Sequence, residues 1–243
     1  MPHLAIHTLF DFLAWAVSLT ALVLLRRGRF RENAVAETLR TGYIVAILAG
    51  AGASAWLFGS LNLYVSGIGG LGRSIEGAIA GAIVAIELYK RMTGVTARTG
   101  AVYALPLALG VAVGRIGCLL SGLDDNTHGI PTGADWGWDF GDGILRHPVQ
   151  LYESLAMAGF AAVYLAMLAT GSQRWKRDGF YYAVGFYAAQ RFALEFWKPY
   201  DSLVAGLTVF QFLSLALIAY AAVMIVTAQP PAPAEKTPAI PNL

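Results

Sequence analysis

Seven apolar stretches, each close to the length a helix needs to cross the hydrocarbon core of a bilayer, constrain this chain more than any other feature. They fall at about 8–25, 41–64, 74–89, 100–121, 149–170, 179–197 and 203–228. A helix rises 1.5 Å per residue, so about 20 apolar residues span the core. Hydrophobic residues make up 57% of the 243 positions and charged residues only 13%, at a mean hydropathy of +0.57. That leaves too little polar surface for a soluble globule. The stretches also lack the period-two alternation of barrel strands. The expected fold is therefore an all-α integral membrane protein with seven transmembrane helices, one membrane domain over 1–228. Residues 229–243 carry Pro230, Pro231, Pro233, Pro238 and Pro241 and are expected to form a disordered tail.

Basic residues set the expected orientation, because cytoplasmic connections retain lysine and arginine. Arg26, Arg27, Arg29, Arg31 and Arg40 follow the first stretch, Lys90, Arg91 and Arg98 the third, and Arg174, Lys176 and Arg177 the fifth. The alternate connections hold only Arg73, Arg146 and Lys198. This bias predicts an N-terminus outside, a C-terminus inside, and a long extracytoplasmic loop at 122–147 between helices 4 and 5. The first stretch follows Met1-Pro2-His3-Leu4, without the basic region and cleavage site of a signal peptide, so it is expected to be retained. Net charge is +2, and the lone Cys118 excludes an internal disulfide. No internal repeat is evident, which weighs against a transporter built from inverted repeats. Gly77 with Gly81, Gly110 with Gly114, and the run from Gly50 to Ser54 fit close helix packing.

Polar residues inside these stretches mark the candidate site. An arginine such as Arg115, in Gly114-Arg115-Ile116-Gly117-Cys118, costs about 2.5 to 3.5 kcal/mol to insert and calls for an anionic partner. Tyr187, Arg191 and Glu195 recur every four residues and share one helix stripe. Arg191 with Glu195 would neutralise itself within that helix. Two arginines at similar depth on separate helices instead point to a shared anion, and a phosphodiester head group is the obvious one in a bilayer.

Glu76 lies near the outer end of the third stretch, with Arg115 as the basic residue expected at its height. Glu87 lies eleven residues on, near Lys90 and Arg91, and reads as an interfacial ion-pair residue. The fifth helix is expected to open at His147-Pro148, where free N–H groups favour an anion. There Gln150 and Glu153 share a face and Tyr152 falls beside Pro148; His147 reads equally as a cap. Cys118, three residues after Arg115, is either an activated thiol or a small buried hydrophobe. The aspartates of 122–147 do not match the alternate-residue ligand pattern of a calcium loop and read as a solvated acidic surface.

At these residues the sequence resembles the prolipoprotein diacylglyceryl transferases, bacterial seven-helix membrane enzymes. The likeness runs over about 70–201. It is carried by Gly114-Arg115-Ile116-Gly117, by His147-Pro148-x-Gln150-Leu151-Tyr152-Glu153, and by Tyr187…Arg191-Phe192…Glu195-Phe196 with Pro199 and Asp201.

The resemblance implies transfer of diacylglyceryl from phosphatidylglycerol to the lipobox cysteine of a secreted lipoprotein precursor at the bacterial inner (plasma) membrane. It implies no metal, no organic cofactor and no nucleic-acid partner. By this reading Glu76, Arg115, Tyr187 and Arg191 serve catalysis, and Arg115, His147, Gln150, Tyr152, Glu153, Arg191 and Glu195 hold the phospholipid. The chain departs from the family pattern at Glu76-Gly77-Ala78, where a functional histidine precedes two glycines, and at Cys118 and Ser121, where asparagines stand. Leu123 takes a glutamate position. Glu76 is then expected to act as the base or as the counter-charge to Arg115. The alternatives are a divergent paralogue with another acceptor, or a non-catalytic phospholipid-binding protein.

Overall fold

A computed structural model describes residues 2–30 and 35–228. Among them are seven α-helices: α1 (Pro2–Arg27), α2 (Glu37–Val65), α3 (Ile75–Thr93), α4 (Ala104–Leu120), α5 (Val149–Ala169), α6 (Gln173–Leu194) and α7 (Val209–Val226). Each coincides with one of the apolar stretches. The proline-rich segment 229–243 and Arg31 lie outside the described residues.

The helix boundaries follow local chemistry. Ser74 caps α3 by accepting the Gly77 N–H at 3.1 Å, and Gly94 ends it in the left-handed conformation at φ 72°. Ser172 caps α6, so that helix begins six residues before position 179 and takes Arg174, Lys176 and Arg177 into its first turns. The last helix starts later than position 203. Residues 203–207 form a tight turn, with Ala205 and Gly206 at φ 54° and 73°, and a Thr208–Gln211 capping box then opens α7. Pro148 is the N-cap residue of α5 rather than a member of its first turn.

Five helices, α1, α2, α4, α5 and α7, are long and apolar enough to cross a membrane. The other two, α3 and α6, supply Glu76 and Arg191 to the bundle interior. Large apolar side chains, among them Leu9, Phe12, Leu57, Val84 and Leu155, stand exposed on the outside of the bundle. The interior is closed by Ala104, Ala108, Met157, Tyr164, Val184 and Tyr187, each fully buried.

Glycine sets the α2–α3 spacing. A Cβ added at Gly50 would lie 2.5 Å from the Gly81 carbonyl oxygen, and one at Gly77 would lie 2.5 Å from that of Ser54. Backbones that close admit no side chain.

Connections gather at two ends of the bundle. At one end Asp201 N–H meets Ser66 Oγ at 3.3 Å, the Ile130 N–H donates to the Trp197 carbonyl at 2.7 Å, and the Tyr200 hydroxyl donates to the Asn126 carbonyl at 2.5 Å. At the other, Tyr43 donates to Thr99 at 2.6 Å, Arg98 pairs with Asp178 at 3.2 Å, and Arg29 reaches the Leu168 carbonyl. Glu87 pairs there with Lys90 at 3.2 Å, as its position near the end of the third stretch predicts.

The segment 122–147 is more ordered than a plain loop. It begins with a 3-10 turn, Gly122–Asp125, and holds a two-stranded antiparallel hairpin, β1 (Trp138–Asp139) with β2 (Leu145–Arg146). Two of its acidic residues are engaged within the hairpin. Asp139 accepts the Gly141 and Gly143 N–H groups, and Arg146 clasps Asp142 at 2.7 and 2.8 Å. That guanidinium holds the Asp142 carboxyl down to about 2.

Candidate functional site

Six ionisable side chains converge inside one end of the bundle. Glu76 comes from the first turn of α3, Arg115 from the last turns of α4, and Glu153 from the start of α5. Arg191 ends α6, and Glu195 and Lys198 follow it in and after the 3-10 turn Glu195–Trp197. All six are buried.

Glu153 is the hub. Its Oε1 accepts from Arg191 Nη1 at 2.8 Å and from Lys198 Nζ at 2.9 Å, while its Oε2 is ion-paired with Arg115 Nε. Arg191 also meets Glu195 at 3.0 Å and Glu76 at 3.5 Å, and its guanidinium lies 4.8 Å from the centre of the Phe210 ring. The carboxylates have hydroxyl partners on the last helix and its cap. Ser214 donates to Glu76 at 2.5 Å and Thr208 to Glu195 at 3.1 Å.

This arrangement bears on two expectations. Three basic side chains meet three carboxyl groups, so Arg115 and Arg191 each have partners within the protein. Glu76 faces Arg191 rather than Arg115, whose partner is Glu153. The pairing of Arg191 with Glu195 along one helix is present as one spoke of the larger cluster.

Beside the cluster opens a cavity of about 1010 Å³. Arg115 and Arg191 both line it, as a shared ligand requires. Apolar residues of α1, α2 and α4, among them Trp15, Ala55, Leu63 and Leu107, line it together with Arg73, Asn62 and Tyr200. Glu76, Glu153, Glu195, Gln150 and Tyr187 stand behind that lining, buried. The Tyr187 hydroxyl finds no hydrogen-bond partner among the described residues, and neither does Gln150 Oε1, although Gln150 Nε2 donates to Thr127 at 3.3 Å.

His147 and Tyr152 sit apart from the ion cluster. His147 stacks on Trp197 with ring centres 5.3 Å apart, and Tyr152 meets both rings edge-on while accepting from Trp136 Nε1 at 3.1 Å. They form an aromatic support for the 122–147 segment, and neither lines the cavity.

Sequence reasoning passed over several groups. Lys198 was read as a loop cation, though it follows Glu195 by three residues. Ser214 and Thr208 gave no signal beyond being polar near an apolar stretch. His7 and Asp11 did leave one, as a polar pair four residues apart in the first apolar run. In the structure His7 Nδ1 lies 3.1 Å from Asp11, and His7 Nε2 lies 3.0 Å from Asp125 and 3.9 Å from Cys118 Sγ. Cys118 is half-buried and lines the cavity, in keeping with an accessible thiol rather than a core hydrophobe.

The fold and the site define a class: a helical bundle with an apolar exterior, whose buried charge cluster borders an amphipathic cavity. The profile of the prolipoprotein diacylglyceryl transferase family matches residues 3–227, and the chain belongs to that family. It is similar to the phosphatidylglycerol–prolipoprotein diacylglyceryl transferase of Bordetella parapertussis, 35% identical over 171 residues, which is 66% of this chain and 63% of that protein. The same-named protein of Wolinella succinogenes is 34% identical over 155 residues, 62% of this chain and 55% of the relative. That of Dehalococcoides mccartyi is 31% identical over 201 residues, 76% of this chain and 75% of the relative. The match thus spans less than two thirds of the length of the Bordetella protein.

Proposed function

We propose that this protein transfers the diacylglyceryl group of phosphatidylglycerol to the lipobox cysteine thiol of a lipoprotein precursor, within the inner membrane of a bacterium. The observation that carries this reading is the meeting of Arg115 and Arg191 at one apolar-walled cavity, each held from behind by Glu153. A phospholipid has the matching shape of charge, an anionic phosphodiester attached to apolar chains. Arginine recognises phosphate oxygens with paired, directed N–H groups.

In this mechanism the guanidinium groups stabilise charge as it builds on the departing glycerol phosphate, and Tyr187, one turn from Arg191 and behind the lining, supports that guanidinium. The thiolate sulfur forms a bond to the glyceryl carbon as the carbon–oxygen bond to phosphate breaks, and the electron pair leaves with glycerol phosphate. Glu76 keeps Arg191 oriented as its counter-charge, and its position at the start of α3 replaces the family's histidine. Glu195 and Gln150 hold the walls of the site. His147 and Tyr152 act at one remove, by fixing the segment above the cavity.

Expression in cells depleted of their own prolipoprotein transferase tests the reading. Growth and lipoprotein modification should return. Persistence of unmodified precursor, with the protein present in the membrane, would contradict it.

Seven membrane passes over 1–228, with the N-terminus outside and the C-terminus inside, fit this function. The connections alternate between the two ends of the bundle, and the charge cluster shares an end with 122–147. Both then face the side from which secreted precursors arrive. In a Cys118→Ser background, a cysteine at Asn126 should react with an impermeant maleimide in intact cells and one at Ser172 should not. The reverse pattern would invert the topology.

A further inference from the structure

At the cavity wall, three potential metal ligands from three elements converge beside the ion cluster. His7 Nε2, Cys118 Sγ and Asp125 Oδ1 all lie within 4.8 Å of one another. The separations of 3.0 Å from His7 to Asp125 and 3.9 Å from Cys118 to His7 bracket the spacing of donors around a tetrahedral zinc ion, about 3.2 to 3.7 Å for bonds of 2.0 to 2.3 Å. Behind the imidazole, Asp11 meets Nδ1 at 3.1 Å. A carboxylate there fixes the Nδ1–H tautomer and turns the Nε2 lone pair toward the other two ligands, as in histidines that hold a metal.

Charge fits as well. Arg73 lies 3.6 Å from Asp11, and Arg115, ion-paired with Glu153, also places Nη1 3.9 Å from Cys118 Sγ. A Cys118 thiolate and the Asp125 carboxylate supply two negative charges for one divalent cation, with the guanidinium as an N–H donor to the thiolate. One sulfur, one nitrogen and one oxygen ligand select zinc over calcium or magnesium, which demand a cage of oxygens.

We propose that His7, Cys118 and Asp125 bind a zinc-class divalent cation with its fourth position open to the cavity, where it takes the acceptor thiol. Three protein ligands with one open position is the pattern of catalytic rather than structural zinc. Metal binding stands by itself; the role given to the fourth position rests on the transfer reaction proposed above. The acceptor thiol binds there and releases its proton to cavity water. Its sulfur lone pair then forms the bond to the glyceryl carbon while the carbon–oxygen bond breaks and glycerol phosphate leaves with that electron pair. The thiolate–imidazole–carboxylate set then supplies the thiol activation, and Cys118 is one of the positions at which this chain departs from the pattern it resembles.

The test uses the full chain, purified in detergent with a tag that contains no histidine and without chelator. Elemental analysis should find about one zinc per chain, and Cys118→Ala and His7→Ala should each weaken metal binding by at least about 10-fold. Cobalt(II) replacement should produce thiolate charge-transfer and tetrahedral visible bands that shift when a lipobox peptide is added. The parent protein makes the decision even if a variant fails to fold. Zinc at background and no cobalt–thiolate bands in the parent would overturn the site, leaving His7 as an imidazolium between Asp11 and Asp125. Zinc and cobalt bands with no transfer to the peptide would uphold the site and refute the transferase reading. Transfer undiminished after complete metal removal would refute the role of the metal in activating the thiol.

Discussion

Glu153→Gln is expected to be the most damaging single substitution in the buried cluster. The glutamate touches all three cations, Arg115, Arg191 and Lys198, and the amide that replaces it leaves them with two carboxylates. Removing one partner from a buried ion pair costs about 3–5 kcal/mol, because the remaining charge is stranded away from water. For a chain of this size that lowers the melting temperature by about 6–20 °C. Glu195→Gln should cost less. It removes one of Arg191's three carboxylates and weakens one hydroxyl contact, while the hub stays intact. Melting curves of the purified variants in one detergent check the order. Equal stability of Glu153→Gln and the parent would mean that the cluster does not hold the helices together.

Arg191→Lys should spare the fold more than Glu153→Gln but remove most of the catalytic rate. The guanidinium reaches Glu76, Glu153 and Glu195 at once and still lines the cavity. A lysine keeps the charge but not the planar fork that contacts several oxygens together. Loss of one preorganised donor to a developing oxyanion lowers turnover by about 100- to 1000-fold. Arg115→Lys should behave alike, since its guanidinium lines the same cavity. The check is kcat at saturating phosphatidylglycerol in vesicles. A change in KM with kcat preserved would show that the arginines bind donor but do not act on the departing phosphate.

Helix positions were legible in the sequence because bilayer-length apolar runs leave little choice of element. Their ends were less legible. The six extra residues of α6 are amphipathic and carry Arg174, Lys176 and Arg177, so a hydropathy reading assigns them to a loop, while the Ser172 cap places them in the helix. The late start of α7 depends on a turn that holds Ala205 at positive φ, a tertiary choice without a composition signal.

For the site, single residues were visible and their pairing was not. Arg115, Glu153, Arg191 and Glu195 stand out because charge inside an apolar helix is costly. Which carboxylate meets which arginine depends on helix rotation, and only the fold shows that Glu153 rather than Glu76 faces Arg115. Lys198 was missed because it falls just past the end of its stretch, where a lysine is ordinary. His147 and Tyr152 lie in the same short motif as Glu153 yet point into an aromatic cluster away from it, since His147 precedes the helix and Tyr152, next to Glu153 on it, faces another way.

The most direct measurement combines the purified protein, vesicles of phosphatidylglycerol labelled in the head-group glycerol, and a synthetic lipobox peptide. The peptide mass and the released glycerol phosphate are followed together. The expected result is a peptide heavier by one diacylglyceryl group, joined through its cysteine sulfur, with one glycerol phosphate released per modified peptide and both products lost in Arg191→Lys. An unmodified peptide, with labelled phosphatidylglycerol bound but intact, would contradict the transferase function and establish a phospholipid-binding protein instead.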